Sequence, residues 1–461
     1  MKHQPLHLPG TVLTALAMTV TGSALAAEPE FVDEARNVYI PAQDERLRTL
    51  RVGAVYNDEH IQIRYEFETD NPSWYHQYWI FEDGEWVRYG RGSPGPDPHG
   101  LYEDRISMML DDGSVPHFGE HGAYMTVHEG MRTLTNAADG EAVRAHPVLG
   151  EEMGRSDVRK YLPGSRNAVD AEVSWDKLKS DEEIQALREQ GYFLDLWQWR
   201  AHRSHPVGHA DNNYVLHYRL NSEGQGPFTD NWDDKAERPA WMFNPGITGF
   251  KAMDRQRLMD RDYAQDDWYY LSEEIAVPFD PNHDWQEGDV LPQRFLRQPT
   301  GSRGAIAAAG GYEEGAWRIR LTRTLEAPNP LDSKSLEDGG RYQVAFAVHT
   351  NASGARWHLV SHPQTLGLGV DDADIVAQRV EGDLDSTEVD WTELQVYYPG
   401  QITWQWLNRD DHPGREAIEE GEIGIREIHL TLEEIAAFSV AFERQQLVVQ
   451  PEDDDREEDR D

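Results

Sequence analysis

The 461 residues include no cysteine. Disulfides, thiolate metal sites and thioether attachment of a cofactor are therefore excluded. Basic residues are scarce, with 43 lysines and arginines against 84 aspartates and glutamates, a formal charge of −41. A surface of that sign repels phosphates, which argues against a nucleic-acid partner and against anionic membrane surfaces. Long apolar runs are also missing. The longest, residues 11–20, is too short to span a bilayer, so no membrane span is expected. There is no serine–histidine–acid motif, phosphate loop or dinucleotide fingerprint. Paired carboxylates are too numerous to single any out.

What is present is enough for a core: 38% of residues are hydrophobic and 10% aromatic. The length suits two domains or one large sandwich with insertions. The acidity is spread along the whole chain. It fits a strongly solvated, halophilic surface whose self-repulsion high salt would screen, or a docking face for a basic redox partner. Residues 1–26 read as a secretory signal, with Lys2 and His3 ahead of the short apolar run and a small-x-small pattern at 24–26. An exported, periplasmic, soluble protein is the expectation.

The clearest strand signal spans 342–369. Tyr342, Val344, Phe346 and Val348 alternate with Gln343, Ala345, Ala347 and His349, the period of two that defines a strand. Turn residues follow at 351–354. A second short strand then carries Arg356, His358 and Val360 on one side, with Trp357 and Leu359 on the other. Such a hairpin puts a histidine on a wall rich in aromatic residues, where it can hold a flat apolar cofactor or serve as plain sandwich core. Similar alternation occurs at 50–68, 102–110, 191–200 and 316–325. Residues 130–190 and 221–300 read as insertions of loop and short helix, with a capped helix at 180–189. Residues 371–400 read as further edge strands. A C-terminal extension at 381–450 includes a short amphipathic helix at 432–442, and 451–461 read as a disordered acidic tail. Strands recur with hairpin-like turns and do not alternate with helices, so the expected fold is mainly β, an antiparallel β-sandwich over 31–380.

Five segments in order (YEDRISMMLDDGSV, DLWQWRAHRSHPVGHADN, GSRGAIAAAGGYEEGAWRIRLTRTL, YQVAFAVHT and ARWHLVSHPQTLGLG) resemble the haem-binding domain of the ethylbenzene dehydrogenase gamma-subunit family. That family's β-sandwich carries haem in periplasmic enzymes of the type II dimethyl-sulfoxide-reductase group. The likeness is strongest to longer, stand-alone cytochrome-like relatives. It implies that His358 occupies the place of a lysine ligand to the haem iron. The other ligand would come from 117–128, where Met125 and His128 are the candidates. Longer relatives have two cysteines and then a histidine there; this chain keeps His128 alone. A weaker second correspondence puts Ile425 and Ile428 where cysteines would stand, with His429 after them, just past PGQITWQWL. Covalent c-type haem is excluded, which leaves non-covalent haem b or no haem.

Neutral imidazole is a good axial donor to haem iron. His358 with His128 would close a bis-histidine pair, and His358 with Met125 a higher-potential one. His117 and His121 are weaker alternatives. The bland fate of each histidine is a satisfied structural residue, and of Met125 core packing. Arg105, Arg200 and Arg356 could pair with haem propionates or make ordinary ion pairs. His202, His205 and His209 could bind a metal from a loop, since Pro206 and Gly208 break any helix. Two readings remain open. One is an exported electron-transfer protein with no catalysis of its own. The other is a haem-free module that binds a carbohydrate or a protein.

Overall fold

The structure, a computed structural model, describes residues 31–33, 38–40, 47–90, 101–116, 118–127, 138–158, 160–169, 172–350 and 358–397. The leader expected at 1–26, the helix expected at 432–442, the tail expected at 451–461 and His429 lie outside the described residues.

Thirteen strands form the main sheet. In chain order they are β1 (Leu47–Tyr56), β2 (His60–Glu68), β3 (Arg105–Asp111), β4 (Leu194–Arg200), β5 (His209–Val215), β6 (Arg219–Asn221), β7 (Ile306–Glu313), β8 (Ala316–Thr324), β9 (Arg341–His349), β10 (Leu359–Ser361), β11 (Gln364–Leu368), β12 (Ile375–Arg379) and β13 (Thr392–Tyr397). All pairings are antiparallel except β11–β12 and β12–β1. The hydrogen-bonded path runs β1–β12–β11–β9–β3–β4–β5–β7–β8–β2 and returns to β1 through the β1–β2 hairpin. A second bridge, β13–β10, also joins β1 to β9. The mainly antiparallel sandwich expected from the alternation is present, and its two layers are joined at both margins. Residues 371–400 therefore do not make sheet edges. β12 and β13 lie inside the circuit, because their partner β1 is brought to them from the far end of the chain.

One core fills the space between the layers. Trp197 and Trp199 from β4, Ile106 and Met108 from β3 and Phe346 from β9 meet Tyr65 from β2 and Trp317 and Ile319 from β8. The Tyr65 and Phe346 rings meet edge to face at 6.0 Å, and Trp199 and Trp317 at 5.0 Å. Every second residue of β8 points inward, as the pattern WxIxL requires, and the phase carries Arg323 inward as well. Its Nη1 donates to Asp195 Oδ2 of β4 at 2.6 Å, and both side chains are fully buried. The Lys334 backbone N–H donates to the same oxygen at 2.9 Å, and the guanidinium lies 4.5 Å from the Trp197 ring centroid.

Residues 221–300 hold more regular structure than their turn signals predict. Short strands at Phe228–Asp230, Trp241–Phe243, Asp289–Pro292 and Arg294–Leu296 join Tyr78–Glu82 and Glu85–Tyr89 around a separate aromatic core. These strands are too short to show a period. Residues 166–178 also form a hairpin (Arg166–Val169 with Glu172–Leu178) where loop or helix was expected. The helix that follows, Asp181–Glu189, is capped as expected, by a capping box in which Ser180 and Glu183 satisfy each other's backbone N–H. The exposed side of β7 is closed by a side chain: the Gln265 amide both accepts from Tyr312 N–H and donates to its carbonyl.

Removing one partner of the Asp195–Arg323 pair strands a charge between the layers. Arg323→Ala is expected to cost about 3–5 kcal/mol in denaturant unfolding. Replacing both residues with well-packed apolar side chains should cost far less. Equal losses from the single and double changes would contradict this account.

Candidate functional site

The strands that bury their inward residues in the core present the alternate residues on an outer face. Register then aligns these into rows. His349, Arg105 and Arg200 stand side by side on β9, β3 and β4. The next row is Ala347, Ser107, Gln198 and Asp211, and the next Ala345, Met109, Leu196 and Asn213. Strand spacing makes this floor roughly 14 Å in each direction. The alanines and serine keep it low.

Walls rise from α1 (Phe118–Thr126) and from Arg155, Lys160, Phe228, His358 and Val360. They enclose a cavity of about 300 Å³. Gly122 takes a positive φ of 73° and divides α1 into two short pieces. A Cβ there would come within 3.2 Å of the Pro363 ring, so the residue serves both the bend and the close approach. Beyond the bend, Ala123, Tyr124 and Val127 face the cavity.

Its charge is the reverse of the protein's. Among the described residues, Arg105, Arg155, Lys160, Arg200, Arg203, Arg219 and Arg303 line it, against one acid, Asp211. Asp211 is buried and engaged on both oxygens. Arg200 Nη1 donates to it at 2.8 Å, and Arg303 donates through Nε at 2.7 Å and Nη2 at 3.2 Å. Burial would raise its pKa, but Arg200 and Arg303 more than offset that and hold it below the usual carboxylate range. Gly226 is needed here, since a Cβ would overlap the Arg303 guanidinium. Glu103, outside the lining, restrains Arg203. It accepts from the backbone N–H groups of His202 and Arg203 at 2.8 Å each and from the Arg203 guanidinium. Arg105 lies 4.9 Å from the Tyr102 ring centroid, and burial lowers its pKa to about 10, which leaves it charged at neutral pH.

Two imidazoles share the cavity wall. His349 and His358 stack with centroids 4.9 Å apart and planes 22° apart. Tyr124 lies 6.3 Å from the His358 ring. His349 is 8% exposed, and its Nδ1 is buried without a hydrogen-bond partner. Burial, and after it the nearby Arg105, push its pKa well below the ordinary 6.5, so the ring is neutral.

Of the residues expected from sequence, His358, Arg105 and Arg200 come together around this cavity. His128, Arg356 and His117 lie outside the described residues, while Met125 and His121 fall within α1. His349, Asp211, Arg203 and Arg303 were not singled out. The alternation at 342–349 already placed His349 on the face away from the core, and that was the available signal. The three loop histidines do not form a metal site. His202 Nδ1 is within hydrogen-bond distance of the Trp74 carbonyl, and His205 Nδ1 accepts from Trp199 Nε1. Among the described residues no three His, Cys, Asp or Glu side chains are grouped to hold a metal ion, and no helix is long and apolar enough to cross a membrane.

The fold is a mainly antiparallel β-sandwich, and the described lining of its cavity carries more positive than negative charge. The family model for ethylbenzene dehydrogenase matches residues 15–361, and the chain belongs to that family. No curated protein matches it.

Four histidines away from the cavity wall, His76 and His202 buried and His205 and His217 half-buried, are expected to contribute to acid stability. Burial lowers His202, His205 and His217 to about 4 and His76 well below 6.5. The unfolded chain takes up these protons near pH 6.5 and the folded chain does not. Their contribution is therefore complete above about pH 6.5 and is lost as pH falls toward 4. At about 1 M salt, where the acidic self-repulsion is screened, Tm should fall across that window with proton uptake on unfolding. A flat profile would refute the assignment.

Proposed function

We propose that the protein is an exported electron-transfer protein that holds non-covalent haem b in this cavity and catalyses nothing itself. The observation that carries the reading is the pairing of neutral imidazole with a cationic rim over a low, broad floor. A haem site needs these features together: an axial donor, counter-charges for two carboxylates and room for a planar ring. The residues present fit the group. His349 and His358 are the imidazoles on this wall, and the sequence nominates His128, or Met125, as the second donor. Arg105 and Arg200, with Arg203 beside them, would take the propionates, and Arg356 remains a sequence nominee for the same role. Bound haem supplies one-electron exchange between ferric and ferrous iron. The protein's own part is to exclude water, set the donor and neutralise the carboxylates. The family membership and the leader-like start support the reading. The acidic surface suits a basic redox partner.

Titration of the purified full chain with haemin should give a Soret band that saturates at one equivalent. Haemin with both carboxylates esterified should bind at least about tenfold more weakly, since each charge-assisted hydrogen bond is worth about 1.5–3 kcal/mol. A chain that stays colourless under every reconstitution would end the haem reading. It would favour a haem-free module in which the amides of Gln198, Asn213 and Asn221 on the floor bind a carbohydrate, and a glycan array would test that.

A further inference from the structure

We propose that Asn213, Asn221, Arg219 and Arg155 form a second anion subsite at the β5–β6 corner of the cavity, and that it takes a carboxylate. The subsite goes beyond the haem reading and stands or falls separately from it. Register sets its position. Asn213 of β5 pairs with Asn221 of β6, and Arg219 lies two residues before Asn221 on the same face. Leu196 and Met109 continue the row of Asn213 across β4 and β3. Four residues of strand, about 14 Å, separate that row from the row of Arg105 and Arg200.

One observation is an unmet donor. Asn213 is 1% exposed and lines the cavity, and its Nδ2 is buried without a hydrogen-bond partner. An amide shut away from water in that state costs stability, because its desolvation is not offset. A ligand oxygen in the cavity would supply the missing acceptor.

The other is an uncompensated cation. Arg155 lines the same cavity, its guanidinium lies 4.7 Å from the Tyr218 ring centroid, and its Nε is buried without a hydrogen-bond partner. Tyr218 directly precedes Arg219, which brings Arg155 to this corner. Among the described residues no carboxylate pairs with Arg155, and the acid two residues on, Asp157, accepts from the Tyr218 hydroxyl at 2.6 Å. The Arg200 corner differs. There Asp211 accepts from Arg200 and Arg303, and Glu103 from Arg203. Those cations are partly balanced by the protein's own carboxylates.

Two N–H donors, one of them charged, match the two oxygens of a carboxylate. Leu196 and Met109 beside Asn213 offer apolar contact to a short hydrocarbon stem. Asp211, two residues before Asn213 on β5, is bound on both oxygens by its arginines and has little charge left to repel such a ligand. The chemistry is the same whether the carboxylate belongs to a free short-chain acid or to the edge of a haem.

Full-length protein carrying isotope-labelled asparagine is titrated with sodium propionate at constant ionic strength and followed by NMR, with sodium sulfate as a second probe. The side-chain amide signal that Asn213→Leu removes should shift saturably with propionate. Arg155→Gln should weaken that binding about tenfold or more, the worth of one charge-assisted hydrogen bond. Without any anion, Asn213→Leu should melt at a higher Tm than the wild type, because an unpartnered amide gives way to an apolar side chain. It should also lose the rise in Tm that propionate gives the wild type. An Asn213 signal that moves only in proportion to added salt would overturn the proposal. So would a lower Tm in Asn213→Leu with its propionate response intact, and tighter binding of sulfate would overturn the choice of a carboxylate. Haemin added first identifies the source: a blocked propionate response assigns the corner to a haem carboxylate, and a preserved one to a free acid. Wild type that binds no haemin ends the haem reading and leaves the propionate test standing.

Discussion

The cavity depends on one carboxylate. Asp211, on β5, takes hydrogen bonds from Arg200 and Arg303 at once and lies almost wholly out of water. Without it, two guanidiniums would face each other in a poorly solvated space, at a cost that grows as the local dielectric falls. With it, the arginines are held apart at fixed angles, and the remaining positive charge is directed into the cavity. Phe228 assists from the aromatic subassembly, with Arg200, Arg203 and Arg294 each within 6 Å of its ring centroid. This concentrated positive potential sits in a chain of net charge −41. An anionic ligand would cross a repulsive periphery before it reached an attractive interior, so its capture should become easier as salt screens the outer field.

The same strands build the core and the floor. β3 sends Ile106, Met108 and Leu110 inward and Arg105, Ser107 and Met109 outward. β4 sends Trp197 and Trp199 inward and Leu196, Gln198 and Arg200 outward. Since the inward residues are locked by packing between the layers, the outward rows inherit that rigidity. A one-residue slip of β9 against β3 would exchange Phe346 and Val348 for Ala347 and His349, emptying the core and blocking the floor together. Stability and site geometry are therefore set by one register.

Much of this was legible in sequence where the pattern is local. The alternation of β2, β8 and β9, the pairing of β9 with the strand after it, and the capping box at Ser180 all rest on residues a few positions apart. The aromatic subassembly was less legible, because strands of two to five residues carry no measurable period and tertiary contacts decide their conformation. The closure of the sheet through β12 and β13 was not legible at all, since it depends on pairings with β1, parallel for β12 and antiparallel for β13, over more than 300 residues of chain. The site was half visible. Family likeness pointed to His358, Arg105 and Arg200, which line the cavity. His349 was noted only as the last residue of an alternating strand, and its importance depends on the β9–β3 register. Asp211 and Arg303 gain meaning only once β5 and the turn at 301–304 are brought together.

The closed sheet also limits how other chains can attach. Proteins with open sheets are often joined by a foreign strand that continues the ladder, whether as a legitimate partner or as the first step of fibril growth. Here β1 and β9 each have neighbours on both sides, and on β7 the Gln265 amide occupies the backbone of Tyr312 as a visiting strand would. Recruitment by β-augmentation is thus closed off along most of the circuit. Along that circuit a docking protein would grip side chains, and on so acidic an exterior that grip would be ionic, quick to form and quick to release.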